Sequence, residues 1–385
     1  MHDFFDKLKI DPSLAEALRK QGISILTDVQ KSVIPLALEN KDLVVQSETG
    51  TGKTLSYLLP IFNKIDSGKK EMQAMVIAPT HELVMQIIKQ IEKLSQNSDI
   101  KITATPVIGN VNIERQIDKL KEKPHIIAGT PGRILELTKR RKITAHTIKT
   151  IVIDETDILL NENNIDAVKE IIKSTLKERQ LMMFSATVSN RTETIAKDLM
   201  KEPRIIRVSG KASIPDSIGH HYFLTQERDK LEVLRKIIRI INPRKALIFI
   251  GDREDADFCK SRLAFHGIMT ASLHGHVDKK ERKATMENFI SGKSAILIAS
   301  DIAARGLDID GITHIFNMNI PEHSGDYLHR AGRTGRAGNS GMVVSIVTEH
   351  DLHSIELFET ELKIEILPKA MFQGKIVDVK KKKHE

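Results

Sequence analysis

Ser47-Glu48-Thr49-Gly50-Thr51-Gly52-Lys53-Thr54 follows directly on Asp42-Leu43-Val44-Val45-Gln46 and runs into the helix-compatible stretch Leu55 to Phe62. A buried strand, a glycine turn and a helix start are the setting that a phosphate-binding loop requires. Gly50 and Gly52 let the backbone turn so that its N–H groups face the β- and γ-phosphates of a nucleotide. Lys53 is placed to neutralise those phosphates, and Thr54 offers a hydroxyl to Mg²⁺. Ser47 stands where the general motif has glycine, so the strict pattern fails at one position. The competing reading is a glycine turn that caps an ordinary helix.

Outward from this loop, strand-like and helix-like segments alternate. In the first half the expected strands are Leu43–Gln46, Ala74–Ala78, Thr103–Val107, His125–Ala128, Thr150–Ile153 and Leu181–Phe184. Arg207 to Ser217, with Gly210, Ser213 and Pro215, reads as a linker. The alternation restarts with His221–Leu224, Ala246–Ile250, Ile268–Ser272, Ala295–Ala299, His314–Asn317 and Met342–Val347. The pattern predicts an α/β chain of two tandem domains, each a mostly parallel sheet with helices on both faces. The expected boundaries are a first domain over 1–208, a linker over 209–218, a second domain over 219–370 and a basic tail over 371–385. Only the first domain carries a phosphate loop.

The 385 residues exceed one ordinary core. With 29% charged and 40% hydrophobic residues, the chain reads as globular. No apolar run approaches a membrane span, and the N-terminus lacks a signal-peptide pattern. One cysteine, Cys259, excludes an internal disulfide and fits a reducing cytoplasm. The net charge of +8 suits a polyanionic partner. No Trp and three Tyr argue against base stacking on many aromatic rings, and contact through phosphate and sugar is expected instead. Lys380 to Lys383 is a basic run, read as a solvated end.

The apolar strand Thr150-Ile151-Val152-Ile153 delivers Asp154-Glu155 at its carboxyl end, where open α/β sheets bind ligands. Phosphoryl transfer needs a carboxylate near the metal and a group that orients or deprotonates water. Asp154 suits the first task and Glu155 the second. Asp157 is placed to tie the loop to neighbouring segments. Far downstream is His329-Arg330-Ala331-Gly332-Arg333-Thr334-Gly335-Arg336. Arg333 and Arg336 are spaced so that a helical start would set them on one side, as arginine fingers for a γ-phosphate. A basic glycine-rich loop for any anion is the plainer alternative.

With these motifs in place, the chain resembles the DEAD-box ATP-dependent RNA helicases of superfamily 2 along nearly its whole length. Thr27 and Gln30 match the Q motif. In the family's order follow the SETGTGKT loop, Pro79-Thr80-His81-Glu82-Leu83, Gly109, Thr130-Pro131-Gly132-Arg133, Asp154-Glu155-Thr156-Asp157, Ser185-Ala186-Thr187, His274-Gly275, Ser300-Asp301 with Arg305-Gly306-Leu307-Asp308, and the HRAGRTGR run.

The resemblance implies two RecA-like domains with one ATP between them and RNA lying across both. It implies catalytic roles for Lys53, Asp154, Glu155, His329, Arg333 and Arg336. ATP contacts are implied for Phe5, Gln30, Thr49, Gly50, Thr51, Gly52, Lys53, Thr54 and Asp308, with Mg²⁺ on Thr54 and Asp154. RNA contacts are implied for Thr80, Gly109, Thr130, Arg133, Lys279, Arg282, Ser300, Arg305 and Gly306. Ser185 and Thr187 would couple ATP state to strand separation, and Arg330 would support its own loop. Thr156, His81, Asn110, Lys279 and His276 depart from the family's usual residues, and Ile23 replaces an aromatic near adenine. His274, His276, His220 and His221 lack the companion ligands of a metal site. The expected activity is RNA-stimulated ATP hydrolysis coupled to local separation of short RNA duplexes or RNP remodelling, by a cytoplasmic monomer that contacts RNA without regard to sequence. An ATP-gated RNA clamp with weak unwinding is the alternative.

Overall fold

The computed structural model describes residues 10–47, 51–109, 111–208, 217–251, 253–273, 279–301, 309, 311–335 and 339–379; of residues 253, 279, 280 and 283 only the backbone is described. The chain divides into two compact units, Met1–Gly210 and Lys211–Glu385.

The first unit opens with α1 (Pro12–Lys20) and α2 (Asp28–Leu38). A parallel sheet follows, built from β1 (Leu43–Gln46), β2 (Ala74–Ile77), β3 (Ala104–Val107), β4 (Ile126–Gly129), β5 (Thr150–Asp154), β6 (Gln180–Ser185) and β7 (Arg204–Arg207). Its spatial order is β3-β4-β2-β5-β6-β1-β7. Between the strands come α3 (Lys53–Lys64), α4 (His81–Asn97), α5 (Ile113–Lys121), α6 (Pro131–Lys139), α7 (Thr156–Leu159), α8 (Ile165–Ser174) and α9 (Asn190–Leu199). Alternate strand residues feed separate cores on the two faces. Val45, Val76, Val152, Met182 and Phe184 pack into one. Val44, Met75, Ile77, Ile151, Ile153, Leu181 and Met183 pack into the other. Burial on both faces is why these strands read as unbroken apolar runs in the sequence.

The second unit repeats the plan with β8 (Ile218–Leu224), α10 (Lys230–Ile241), β9 (Ala246–Phe249), α11 (Arg253–Phe265), β10 (Thr270–Leu273), α12 (Lys279–Ile290), β11 (Ile296–Ala299), β12 (His314–Asn317), α13 (Ser324–Ala331), β13 (Gly341–Val347), α14 (Leu352–Leu362), β14 (Leu367–Phe372) and β15 (Lys375–Asp378). The sheet order is β10-β11-β9-β12-β13-β8-β14-β15, with β14 and β15 the antiparallel pair. Among the described residues no helix is long and apolar enough to cross a membrane.

Some expectations need correction. Residues 371–378 are not tail: they belong to the β14–β15 hairpin, which pairs through β14 with β8. Ile218, assigned to the linker, opens β8, and Arg207 closes β7, which pairs with β1. The remainder of the linker, 209–216, and residues 380–385 lie outside the described residues.

Candidate nucleotide and RNA site

β1 ends at Gln46, and the next residue, Ser47, donates its N–H to the Ser185 carbonyl of β6 at 2.9 Å. The Ser47 and Thr51 hydroxyls bond each other at 2.8 Å and so close the loop across its base. Ser47 therefore does something the expected glycine cannot. Gly52 precedes α3 with φ +93, and a Cβ there would stand 2.4 Å from Gln30 Nε2. The glycine is thus required both by its left-handed backbone and by the close approach of Gln30. Gln30 is buried; its Nε2 donates to the Gly52 carbonyl at 3.2 Å and its Oε1 accepts from Thr27 N–H at 3.0 Å. The Q-motif glutamine is in this way stitched to the phosphate loop. Its second amide N–H and remaining lone pair are what it has left for a ligand.

Lys53 begins α3. It is 7% exposed, and its Nζ is buried without a hydrogen-bond partner. Burial of an unpaired ammonium is costly, and a bound anion removes that cost. The phosphates of a nucleotide therefore fit this loop. Asp154, at the end of β5, is 3% exposed. Burial first, and then the Glu155 charge, push its carboxyl up to about 6, while Lys53 and the hydrogen bonds from Tyr57 and the Glu155 N–H hold it down. Tyr57, one turn along α3 from Lys53, donates to Asp154 Oδ2 at 2.9 Å. Burial, then the Asp154 charge, raises the Tyr57 phenol well above its ordinary range, and Thr54 also bonds it. The sequence reading missed Tyr57; no local pattern marks a partner 97 positions from its carboxylate.

Glu155 sits at φ +52, ψ +55, a left-handed conformation unusual for a residue with a Cβ. Such strain costs about 1–2 kcal/mol and tends to cluster at functional turns. Thr156 secures the turn: its hydroxyl lies 3.0 Å from both the Ile153 and the Phe184 carbonyls. The Ser185 hydroxyl accepts from the Asp157 and Thr187 N–H groups, each at 3.4 Å. The expected link between Ser185-Ala186-Thr187 and the acidic loop is therefore present through Ser185, with Thr187 joining by its backbone.

The RNA candidates of the first unit stand apart from these groups. Thr80, Gly109 and Thr130 follow β2, β3 and β4, three adjacent strands on one side of the sheet. The nucleotide candidates follow β1, β5 and β6 on the other. Thr80 caps α4 by accepting from Leu83 N–H at 3.3 Å. Thr130 precedes Pro131 at the start of α6. Arg133 is already engaged: it donates to the Val111 carbonyl at 3.2 Å and pairs with Glu136 at 3.1 Å. Ile23 packs against the core of its unit.

In the second unit, α13 ends at Ala331, so Arg333 lies beyond the helix. Beyond Gly332 the buried Thr334 hydroxyl donates to the Ile312 carbonyl at 2.6 Å and draws the backbone away from the helix axis. Arg333 is 8% exposed and donates through Nε to the His329 carbonyl at 3.3 Å. His329 lies buried on α13. Arg330 supports the loop as expected: it forks onto Asp301 at 2.7 and 2.6 Å, bonds Asn317 Oδ1 and the Asn319 carbonyl, and lies over the Phe249 ring. Ser300 follows β11, and Arg282 is half-exposed on α12. His220 bonds the Tyr327 hydroxyl at 2.9 Å, and burial lowers its imidazole to about 4, in keeping with a packed residue. Phe5, Thr49, Gly50, Asn110, His274, His276, Arg305, Gly306, Asp308, Arg336 and the Lys279 side chain lie outside the described residues.

Residues 27–195 match the family model of the DEAD/DEAH box helicases, and residues 229–338 match the helicase conserved C-terminal domain. The DEAD-box ATP-dependent RNA helicase CshC of Bacillus cereus is 42% identical over 97% of this chain and 95% of its own. The probable ATP-dependent RNA helicase YfmL of Bacillus subtilis is 38% identical over 94% of this chain and 95% of its own. Among solved structures, S. cerevisiae Dbp5 bound to RNA and ADP BeF3 superposes with a TM-score of 0.87 at 26% identity, over 95% of each chain. A buried, unpartnered Lys53 behind a glycine turn, an acidic pair at the end of β5 and these likenesses place the chain in the DEAD-box ATP-dependent RNA helicase family.

Proposed function

We propose that this ATP-dependent RNA helicase hydrolyses ATP at the loop around Lys53 and Asp154, and that RNA stimulates the reaction. The observation that carries the assignment is the buried Lys53 ammonium, without a hydrogen-bond partner, whose charge the Asp154 carboxylate feels. Thr51, Gly52 and Lys53, with Thr49 and Gly50, are the proposed phosphate cradle. Gln30, Phe5 and Asp308 are proposed to hold the nucleoside.

The hydroxyl of Thr54 and the carboxylate of Asp154 are hard oxygen donors of the kind Mg²⁺ takes, and the donor set fits that ion. When bound, Mg²⁺ neutralises charge on the β- and γ-phosphate oxygens. Tyr57 holds the Asp154 carboxylate in one orientation. Glu155, held in a left-handed turn beside Asp154, is proposed to orient and deprotonate the attacking water. Arg333 and Arg336 are proposed as the fingers for γ-phosphate charge, with His329 helping to place the water.

RNA is proposed to lie along the carboxyl ends of β2, β3 and β4, where Thr80, Gly109 and Thr130 stand, with Arg133 supporting that surface through Glu136 and the Val111 carbonyl. In the second unit the proposed contacts are Lys279, Arg282, Ser300, Arg305 and Gly306. These are small or basic residues, suited to phosphate and sugar rather than to base edges. Short duplexes, contacts that ignore base sequence, a monomeric state and a cytoplasmic setting complete the reading. The likeness to named helicases favours strand separation over the clamp.

Glu155→Gln tests the assignment. Nucleotide still binds, and phosphate release falls about 10²–10⁴-fold, the usual contribution of a general base. Turnover within threefold of the parent protein removes Glu155 from the site.

A further inference from the structure

The first sheet carries a second polar concavity at its amino-terminal end. Ala74, Thr150 and Gln180, the first residues of β2, β5 and β6, line a cavity of about 430 Å³ together with Lys64, Lys149 and Arg179. The length of β5 alone separates this end from Asp154 by about 13 Å, at ~3.3 Å per residue. None of the groups assigned to ATP or RNA lines it.

The cations of this cavity form no ion pair among the described residues. Lys64, the last residue of α3, donates to Asn40 Oδ1 at 2.8 Å and to Gln180 Oε1 at 2.7 Å, both neutral oxygens. Gln180 is 3% exposed and cannot turn its amide, because its Nε2 donates to the Ala37 and Lys41 carbonyls at 3.0 and 2.7 Å. Arg179 spends one N–H on the Leu176 carbonyl at 2.9 Å, and its Nε is buried with no partner. Lys149 is exposed. Glu178 lines the cavity but is exposed to solvent. Asp42, which Arg179 feels at longer range, already accepts N–H bonds from Leu181 and Lys201, each at 2.7 Å. Burial alone holds the Lys64 ammonium down at about 8.

Partly desolvated cations without a counter-ion are costly to keep, and an anion from solution offsets that cost. A guanidinium with a spare N–H beside ammonium groups matches the several oxygens of a phosphate. The volume exceeds that of one phosphate and falls in the range of small-molecule sites. We propose that this cavity is a second anion-binding site, distinct from the phosphate loop, which takes a small phosphorylated anion through Lys64, Arg179 and Lys149. Its position in the same unit as the phosphate loop, at the far end of the helix that Lys53 begins, gives such an anion a route to α3 that does not compete with ATP.

The test is calorimetric titration of inorganic pyrophosphate into the full chain carrying Lys53→Ala, which disables the phosphate loop as a competitor. A single saturable site is expected. Lys64→Gln or Arg179→Gln should weaken it at least tenfold, and the exposed Lys149→Gln about threefold. Circular dichroism melts check that each variant is folded. Should either of the more buried substitutions unfold the protein, Lys149→Gln decides alone. Absence of saturable binding, or an affinity unchanged in every folded variant, overturns the proposal.

Discussion

Two side chains around the acidic turn have roles that substitution can isolate. The Tyr57 hydroxyl reaches Asp154 Oδ2 from inside the core, and phenylalanine would keep the ring packed against Phe184 while losing that bond. A hydrogen bond to a charged group is worth about 1.5–3 kcal/mol, so Tyr57→Phe is expected to lower ATP turnover at limiting Mg²⁺ about tenfold or more. Excess Mg²⁺ should recover much of the loss. A Mg²⁺ titration of phosphate release that overlays the parent curve would show that Tyr57 does not position Asp154. Thr156 ties the ends of β5 and β6 together through one hydroxyl. Thr156→Ala should cost about 1 kcal/mol and lower the melting temperature by ~2–4 °C, with Thr156→Ser restoring most of it. Equal melting of all three proteins would mean the hydroxyl contributes nothing to the turn. Neither contact was readable beforehand, because each joins residues that only the parallel sheet brings together.

At the level of elements, the strands that the sequence announced are mostly buried, and their bounds agree within three residues, the largest shift being at the start of β8. β7 escaped because its outer residues, Arg204 and Arg207, are exposed at a sheet edge and interrupt the apolar signal. The β14–β15 hairpin escaped for a related reason: its strands are half-buried and run into lysines, which read as a solvated end. The helical start that the Arg333–Arg336 spacing allows is absent at Arg333, where α13 has already ended and Thr334 bonds sideways to Ile312. Packing also separates glycines that look alike in sequence. A Cβ on Gly129 would lie 2.2 Å from the Val107 carbonyl, while one on Gly132 meets nothing within 4 Å. Gly129→Ala should destabilise the protein by about 1–3 kcal/mol through overpacking, and Gly132→Ala should be close to neutral. Urea denaturation of the pair checks this, and equal midpoints would contradict the close approach of Gly129 to Val107.

Over the whole molecule, the net charge of +8 suits a polyanion, and the salt dependence of binding reports which cations meet RNA. Arg133 is committed to Glu136 and Val111. If Lys279, Arg282 and Arg305 each neutralise one phosphate, the salt slope for single strands is about −2, so affinity falls roughly twentyfold between 50 and 200 mM salt. Arg133→Ala should leave that slope unchanged; a slope shallower by about 0.7 would place Arg133 on a phosphate. The division into two α/β units and the order of the motifs were legible in the sequence because strand burial and glycine turns are local signals. The paths by which Gln30, Tyr57 and Thr156 hold the site were not, since they depend on strand neighbours far apart in the chain. The central claim, RNA-dependent ATP hydrolysis at Lys53 and Asp154, is tested most directly by steady-state phosphate release from ATP with single-stranded RNA, with single-stranded DNA and with neither, for the parent protein and for Lys53→Ala. The account predicts strong stimulation by RNA alone and no turnover in the variant. Turnover that ignores RNA, or that survives Lys53→Ala, would contradict it.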